Sequence, residues 1–264
     1  MTSVIENIGP PRSMGHALLI GKSVDREVGS STIRHQHEVA QLLYAISGVM
    51  RVITPLGQWI VPPSCGIWLP AGVWHEVHML ALVEMRTVYI QPDALPDLPR
   101  QCCVLDISPL LRELILAAVT IDGPRPKNSR EGHIIALLLD EIIHIPTLPM
   151  VLPIPQDKAL RSICDMLLVA PDDGRTIEDW ARKISVDPRT LQRRFNQATG
   201  MTFGQWRRQA RLLKALERLA TGERVINVAL ESGYTSPSAF SAMFKRQLGV
   251  APSHFFTGSS VQGL

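Results

Sequence analysis

The last hundred residues contain one arrangement twice: a short helix, a tight turn and a second helix rich in basic and polar side chains. In the first copy, over residues 176–199, Thr176 is suited to cap a helix, and Asp187-Pro188 is suited to start the next one. In the second copy, over residues 225–249, Ser236-Pro237 repeats that start. Two apolar residues four apart place one stripe on each second helix: Leu191 with Phe195, and Phe240 with Phe244.

A long amphipathic helix is predicted between the two copies. Its apolar residues recur at spacings of three and four, and Gly222 closes it: Phe203, Trp206, Ala210, Leu213, Leu216 and Ala220. A rigid connection of this kind can hold two recognition helices about 34 Å apart, the spacing of successive major grooves of B-DNA. Matching caps and matching apolar pairs favour DNA binding over the alternative, a helical bundle with a solvated basic face.

The charge distribution differs between the two halves of the chain. Residues 157–264 contain 16 Lys and Arg against 10 Asp and Glu, whereas residues 1–156 contain 11 against 14. The whole chain has a net charge of +3. The basic half therefore suits a polyanion such as double-stranded DNA, and we expect its affinity to fall steeply with salt.

From about residue 157 to residue 256 the chain resembles the DNA-binding domain of the AraC/XylS transcription regulators. The stretches that carry the resemblance are residues 189–200, 228–234 and 240–252. The resemblance implies an all-helical domain with two helix-turn-helix motifs that contact adjacent major-groove segments of an operator. By motif position, the implied base contacts are Arg189, Gln192, Arg193, Ser238 and Ser241, and the implied phosphate contacts are Arg194, Lys245 and Arg246.

The second motif departs from the family pattern at one position. Many relatives carry a long polar side chain where this chain has Ala242. We therefore expect the second motif to bind phosphates more than bases.

The first hundred residues have the pattern of a small antiparallel barrel. Short segments rich in β-branched and aromatic residues alternate with Gly, Pro or Ser, and they cover residues 41–46, 49–54, 58–61, 67–69 and 84–90. The expected fold class is therefore α+β: an N-terminal antiparallel β-barrel followed by helices and an all-α domain with two helix-turn-helix motifs.

Within this region the chain resembles the two motifs of the cupin barrel, through Gly29, His35, His37, Gln41, Gly48 and, later, residues 70–75. The resemblance implies a metal site formed by His35, His37, His75 and Gln41. Gln41 stands where cupins usually have a glutamate, and the glycine and asparagine of the second motif are out of register. Imidazole ligands suit one divalent Zn, Ni or Cu ion. The alternative is that these histidines line an effector pocket without metal.

Four aromatic residues are weaker candidates for lining an effector pocket, and each is also suited to the barrel core: Tyr44, Trp59, Trp68 and Trp74.

Two helices are predicted between the barrel and the basic half, at residues 105–119 and 133–144. In AraC-type proteins, helices at this position pair two subunits, so the resemblance implies a homodimer. Each helix has one apolar stripe, and packing against the barrel would produce the same stripes: Leu110, Leu111, Leu114, Ile115 and Ala118 on the first helix, and Ile134, Ile135, Leu137, Leu138 and Ile142 on the second. Residues 145–155 contain four prolines and predict an extended, semi-rigid spacer. The expected domains are thus 1–104 (cupin-like), 105–156 (dimerisation helices and linker) and 157–258 (DNA-binding).

The function expected from these patterns is transcription regulation, switched by a small-molecule effector or a metal in the barrel. A non-enzymatic protein is expected, and RNA polymerase is a further candidate partner. The alternative is a cupin metalloenzyme, of the dioxygenase or isomerase type, with a helical interaction tail. Neither a membrane-length apolar run nor a signal-peptide pattern at the N-terminus is found, so a cytoplasmic location without membrane contact is expected.

Overall fold

The computed structural model describes residues 14, 16–63, 65–148, 150–248 and 251–255. Contacts divide these residues into two compact units. The first contains the described residues up to Thr54 and from Ile60 to Met150. The second contains Pro55–Trp59 and the described residues from Val151 to Phe255.

Antiparallel strands form two sheets. The strands are β1 (Leu19–Arg26), β2 (Ala40–Ser47), β3 (Met50–Thr54), β4 (Gly57–Val61), β5 (Cys65–Leu69), β6 (Glu76–Met79), β7 (Val83–Ile90), β8 (Cys103–Asp106), β9 (Thr147–Leu148) and β10 (Val151–Pro153). The larger sheet has the order β1-β7-β2-β5-β8-β9, and the other has the order β10-β4-β3-β6. The five predicted strands are confirmed, and β1, β6 and β8 were missed.

The expected closed barrel is not formed. In the larger sheet β1 and β9 each pair with one neighbour among the described strands, so this sheet keeps two edges. Because β9 has only two residues, it offers little backbone for further pairing. The correct description is a β-rich region of two open sheets followed by helices.

Successive residues of β2 face two different sides of its sheet, one apolar and one partly polar. Leu42 and Tyr44 belong to an apolar core with residues of α1 (Pro109–Ala118) and α2 (Arg130–His144). Gln41 pairs in register with Tyr89 of β7, and Leu43 with Thr87. Since successive strand residues point to opposite faces, the polar Gln41 lies on the face away from the α1–α2 core.

Both predicted helices are present, but neither starts at the predicted residue: α1 begins four residues later, at Pro109, and α2 begins three residues earlier, at Arg130. Residues 105 and 106 end β8, where Leu105 pairs with Gly66 of β5. Helix α1 begins only at Pro109, where the Ser108 side chain accepts a hydrogen bond from the Leu111 backbone N–H. Most of the predicted stripe of α1 is buried, but Leu110 is exposed.

The proline-rich segment is extended as predicted, but it is not a free spacer. Strand β9 pairs with β8 in the first unit. Strand β10 pairs with residues 57–59 of β4 in the second. The backbone that proline favours is compatible with edge strands, and this explains why a linker pattern contains paired residues.

Helices form most of the second unit, and their ends follow the sequence signals. They are α3 (Lys158–Val169), α4 (Ile177–Lys183), α5 (Pro188–Thr199), α6 (Phe203–Ala220), α7 (Val225–Glu231), α8 (Pro237–Leu248) and α9 (Pro252–Phe255). Thr176 and Asp187 cap α4 and α5, and Gly200 ends α5 in the left-handed conformation at φ 71°. The Ser236 hydroxyl accepts a hydrogen bond from the Ala239 N–H at the start of α8. Among the described residues, no helix combines the length and apolar character that a membrane span requires.

Candidate metal centre and nucleic-acid interface

Three histidines predicted as metal ligands lie together in the first unit. Ligand atoms of His35, His37 and His75 all lie within 4.8 Å of one another. His35 and His75 face each other because their backbones form an isolated antiparallel bridge, with N–H···O distances of 3.0 and 2.8 Å. The ring centroids of this pair are 4.3 Å apart, and those of His37 and His75 are 5.2 Å apart. We call these three residues the histidine triad.

Each ring of the triad is oriented through its Nδ1 atom. These atoms lie 2.8, 2.6 and 2.8 Å from the carbonyl oxygens of Ile33, Val39 and Val73, in the order His35, His37, His75. A carbonyl only accepts hydrogen bonds, so each Nδ1 carries the proton and donates it. In a neutral ring, Nε2 then keeps a lone pair that is free to bind a metal.

Burial keeps at least two of these rings neutral. It lowers the pKa of His75 to about 4, and it also lowers the pKa of His37. Within the described part of the chain, Nε2 of His35 and Nε2 of His75 are buried without a hydrogen-bond partner. Both atoms therefore lie in a protein interior that offers them no hydrogen-bond partner, and a metal ion bound to the two Nε2 atoms would satisfy both.

Gln41 lies beside the triad and contacts one of its members. One end of its side-chain amide lies 2.9 Å from His37 Nε2, and the other end lies 2.8 Å from the Thr87 hydroxyl. Because neutral His37 donates from Nδ1, its Nε2 has to accept, so the Gln41 amide group turns its N–H toward His37 and the Thr87 hydroxyl donates to Oε1. The hydrogen-bond pattern therefore assigns the amide nitrogen to the His37 side and the amide oxygen to the Thr87 side.

His37 and His75 are buried, and His35 is partly buried. Tyr89 is fully buried, its ring centroid lies 5.5 Å from that of His37 in an edge-on arrangement, and burial raises the pKa of its hydroxyl to about 12. The Lys22 ammonium lies 5.6 Å from the same centroid. The nearby Glu38 is exposed. His78 lies outside the triad and pairs with Glu76 at 3.1 Å. The candidate ligands are thus three imidazoles, of which burial keeps His37 and His75 neutral, with a neutral amide in the glutamate position.

The four aromatic pocket candidates are not brought together. Tyr44 and Trp68 belong to the core under α1 and α2, where Trp68 also lines a cavity of about 560 Å³ and donates to the Pro99 carbonyl at 2.7 Å. Trp59 is buried in the second unit. Trp74 is 43% exposed, with the Arg34 guanidinium 5.6 Å from its ring centroid.

Helix α5 presents most of its predicted contact residues to solvent. Arg189 and Arg193 are exposed, and Gln192 is half-buried. Arg194 is also half-buried, and its guanidinium forms an ion pair with Asp157. Sequence reasoning missed Asn196, which is exposed and lies on the same face because it follows Arg189 by seven residues.

Helix α8 presents a smaller polar surface. Ser238, Lys245 and Arg246 are exposed, and Ser241 is half-buried. Ala242 is exposed between them. This chain therefore presents a methyl group at the position where the family resemblance implies a long polar side chain. The cations lie in the last turn of the helix.

Aromatic packing fixes both helices to the second unit. The Phe195 ring of α5 makes edge contacts with Phe203 and Trp206 of α6, at centroid distances of 5.6 and 5.9 Å. On α8, the Phe240 ring lies 5.5 Å from Tyr234 and 5.7 Å from Phe244. Each polar surface is therefore carried by a helix whose opposite face is locked into a core.

Arg218 connects α6 to α7 through an ion pair. Its guanidinium pairs with Glu223 and with Glu231 of α7, both at 2.6 Å. The long helix α6 thus holds α7 as well as α5.

Family comparisons agree with this division of the chain. Residues 24–144 match the AraC-like ligand binding domain, and residues 180–258 match a helix-turn-helix domain. The chain is 34% identical over 221 residues to the HTH-type transcriptional regulator NimR of Escherichia coli K12, covering 84% of this chain and 81% of that protein. This chain belongs to the AraC family of transcription regulators. It is also 38% identical over 85 residues to the regulatory protein SoxS of Escherichia coli K12, covering 32% of this chain and 79% of SoxS.

Among solved structures, ToxT from Vibrio cholerae matches with a TM-score of 0.39 and 12% identity, covering 91% of this chain and 98% of ToxT.

Membership of the family assigns a function to the chain. It is a DNA-binding transcription regulator with a ligand-binding N-terminal region. The expectation of a non-enzymatic regulator agrees with the names of these relatives, and the cupin metalloenzyme alternative gains no support from them.

Proposed function

We propose that this regulator binds one divalent transition metal, Zn, Ni or Cu, at the histidine triad, and that occupation of this site switches its binding to DNA. The observation that carries the proposal is the pair of buried Nε2 atoms, on His35 and His75, that lack a partner among the described residues. Leaving a buried polar atom unsatisfied costs about 1–3 kcal/mol. A metal bound there removes this cost.

The chemistry of the donor set supports a transition metal over calcium or magnesium. Neutral imidazoles suit Zn, Ni and Cu, whereas calcium and magnesium prefer oxygen ligands. Hydrogen bonds from each Nδ1 to a backbone carbonyl fix the ring orientations in the way that outer partners of metal-binding histidines usually do. A bound ion would act as a Lewis acid that holds a donor atom of an organic effector.

Gln41 has two proposed roles at this site. As a fourth ligand its Oε1 would turn from Thr87 toward the metal. As an outer partner it would stay on Thr87 and release His37 Nε2 to the metal. In both cases the contact between Gln41 and His37 Nε2 is replaced when metal binds, because one lone pair cannot serve both.

The metal-switch proposal is tested by measuring DNA affinity with and without metal. Fluorescence anisotropy on a fragment of the DNA upstream of the protein's own gene would compare chelator-treated protein with protein given Zn, Ni or Cu. We expect metal to change the affinity by about 5- to 150-fold, the usual range of allosteric coupling. His78→Ala, which removes a histidine outside the triad, should respond like the parent protein. A response that persists in His35→Ala/His37→Ala would contradict the proposal.

We further propose that helices α4–α5 and α7–α8 are two helix-turn-helix motifs that contact adjacent major-groove segments. Support comes from the caps and aromatic packing that the two pairs share. The proposed base contacts are Arg189, Gln192, Arg193, Ser238 and Ser241, and the proposed phosphate contacts are Arg194, Lys245 and Arg246. The corresponding domains are residues 1–104, 105–156 and 157–258.

A homodimer through α1 and α2 is proposed on the basis of two exposed leucines. Leu110 of α1 is 49% exposed and Leu137 of α2 is 43% exposed, although the remaining stripes pack against the first unit. Leu110→Asp/Leu137→Asp should therefore shift a dimer to monomer in sedimentation velocity without unfolding the chain. An unchanged sedimentation coefficient would refute this interface. Contact with RNA polymerase stays a prediction.

A further inference from the structure

We infer a second ligand site in the first unit, for a small organic carboxylate with an apolar body. It is a cavity of about 320 Å³ between the start of β1, the loop at residues 94–95, the loop at residues 123–127 and one face of α2. The site goes beyond the metal proposal and does not depend on it, since neither the triad nor Gln41 lines this cavity.

The inner wall of the cavity is apolar. Leu19, Ile135 and Leu139 are buried residues of its lining, and Leu95 is partly buried beside them. Such a wall has no hydrogen bonds to offer a hydrated inorganic ion, but it can remove an aliphatic or aromatic group from water. The volume is at the lower end of ordinary ligand pockets, about 300–1,000 Å³, so the ligand is small.

The rim of the cavity carries positive charge that the described residues do not neutralise. Arg125 and Lys127 are exposed, and neither side chain has a hydrogen bond or an ion pair within that part of the chain. His16 also lines the rim. The carboxylate at the rim, Asp140, lies 3.6 Å from His144 on its own helix. A guanidinium and an ammonium beside an apolar wall match a carboxylate attached to an apolar group.

A glycine holds the basic loop in position. A Cβ at Gly132 of α2 would come within 2.3 Å of the Pro126 carbonyl oxygen and 2.7 Å of that of Lys127. The loop that carries both cations can therefore approach α2 this closely only because residue 132 has no side chain. Its cations are held at the cavity by backbone packing rather than by their own side-chain contacts.

The test compares an acid with its neutral amide. Isothermal titration of the full chain with 4-phenylbutanoate and with 4-phenylbutanamide measures the part of the affinity that depends on the carboxylate. We expect the acid to bind at least about tenfold more tightly than the amide, as charge-assisted hydrogen bonds to one or two cations would give.

Three variants locate the site. Arg125→Gln/Lys127→Gln should bring the two affinities within about twofold, because the amide never used the charge. Arg130→Gln removes an exposed cation that does not line the cavity and should keep the tenfold preference. Ala136→Trp places a large side chain at an exposed lining position and should abolish binding of both compounds while the melting temperature stays within a few degrees.

Equal affinities for acid and amide, or a preference that survives in Arg125→Gln/Lys127→Gln, would overturn the inference. So would undiminished binding to folded Ala136→Trp. The same titration of His35→Ala/His37→Ala separates the two sites: the preference for the acid should persist there, whether or not the triad binds metal.

Discussion

Replacing Asp157 should destabilise helix α3, at the start of the DNA-binding half, by an amount that depends on the new side chain. The Asp157 carboxylate accepts hydrogen bonds from the Ala159 and Leu160 N–H groups, both at 3.0 Å, and pairs with Arg194 of α5. Asp157→Asn keeps an oxygen for the helix cap and removes the charge. Asp157→Ala removes the cap and the ion pair together.

The structure sets the expected magnitudes. A lost N-cap costs about 1 kcal/mol, and a partly exposed ion pair contributes about 0.5 kcal/mol. Both side chains of this pair are 35% exposed, so solvent screening keeps the second figure small. We therefore expect Asp157→Ala to cost about 1.5 kcal/mol and Asp157→Asn about 0.5 kcal/mol. A double-mutant cycle with Arg194→Ala should recover a coupling of about 0.5 kcal/mol.

The ion pair also predicts a pH dependence. Hydrogen bonds from the Leu160 N–H and from Arg194 lower the pKa of Asp157 below its ordinary value. A carboxyl group whose folded pKa is depressed stabilises the fold above its unfolded pKa, about 3.9, and this contribution is lost as the pH falls through the folded value. The difference between the parent and Asp157→Asn should accordingly shrink as the pH is lowered below about 4.

Hydrogen exchange measured by mass spectrometry suits this prediction, because a chain of two units does not unfold in one step. Peptides from α3 and α5 report the local opening free energy. Asp165→Asn, which removes another exposed carboxylate of α3, is the matched control and should leave exchange unchanged. Equal losses in Asp157→Asn and Asp157→Ala, or an absence of coupling between Asp157 and Arg194, would contradict separate contributions from the helix cap and the ion pair.

Further predictions concern the backbone and the DNA contacts. Gly48 has φ 84° and a Cβ there would lie 2.1 Å from the Leu82 carbonyl oxygen, so Gly48→Ala should destabilise the first unit by at least about 2 kcal/mol in thermal denaturation. Gly29→Ala, at φ 77° with open space around it, should cost only about 1 kcal/mol; equal losses would contradict the clash. In anisotropy titrations Arg193→Ala should weaken the binding free energy for the operator by about 1–3 kcal/mol. The same variant should bind unrelated DNA nearly as well as the parent protein does. Lys245→Ala should weaken binding to all sequences and reduce the salt slope by about 1; a sequence-selective loss would contradict its phosphate role.

The sequence predicted the helices of the second unit well because each helix end depends on hydrogen bonds between residues that are close together in the chain. Thr176, Asp187 and Gly200 each define a helix end through bonds to neighbours two to four residues away. Leu105 shows the limit of periodicity. It continues an apolar helical pattern, but it pairs with Gly66, a residue far away in the sequence, and so belongs to a strand.

The sequence predicted which residues form the candidate site, but it did not predict which of their side chains contact one another. The spacing of His35 and His37 indicated a ligand set, and the bridge that brings His35 to His75 was left to tertiary structure. Nothing local to Gln41 reveals that it contacts Thr87, 46 residues away. Likewise, the pairing of Arg194 with a residue 37 positions earlier cannot be inferred from the helix pattern that suggested a phosphate contact.

The most direct test of the account is the metal content of the histidine triad. Tag-free protein, purified without chelator, would be analysed by elemental mass spectrometry beside His35→Ala/His37→Ala and the control His78→Ala. We predict about one Zn, Ni or Cu ion per chain in the parent and in the control, and none in the double variant. A parent protein without metal, or equal metal in all three proteins, would contradict the assignment of the triad as the metal site.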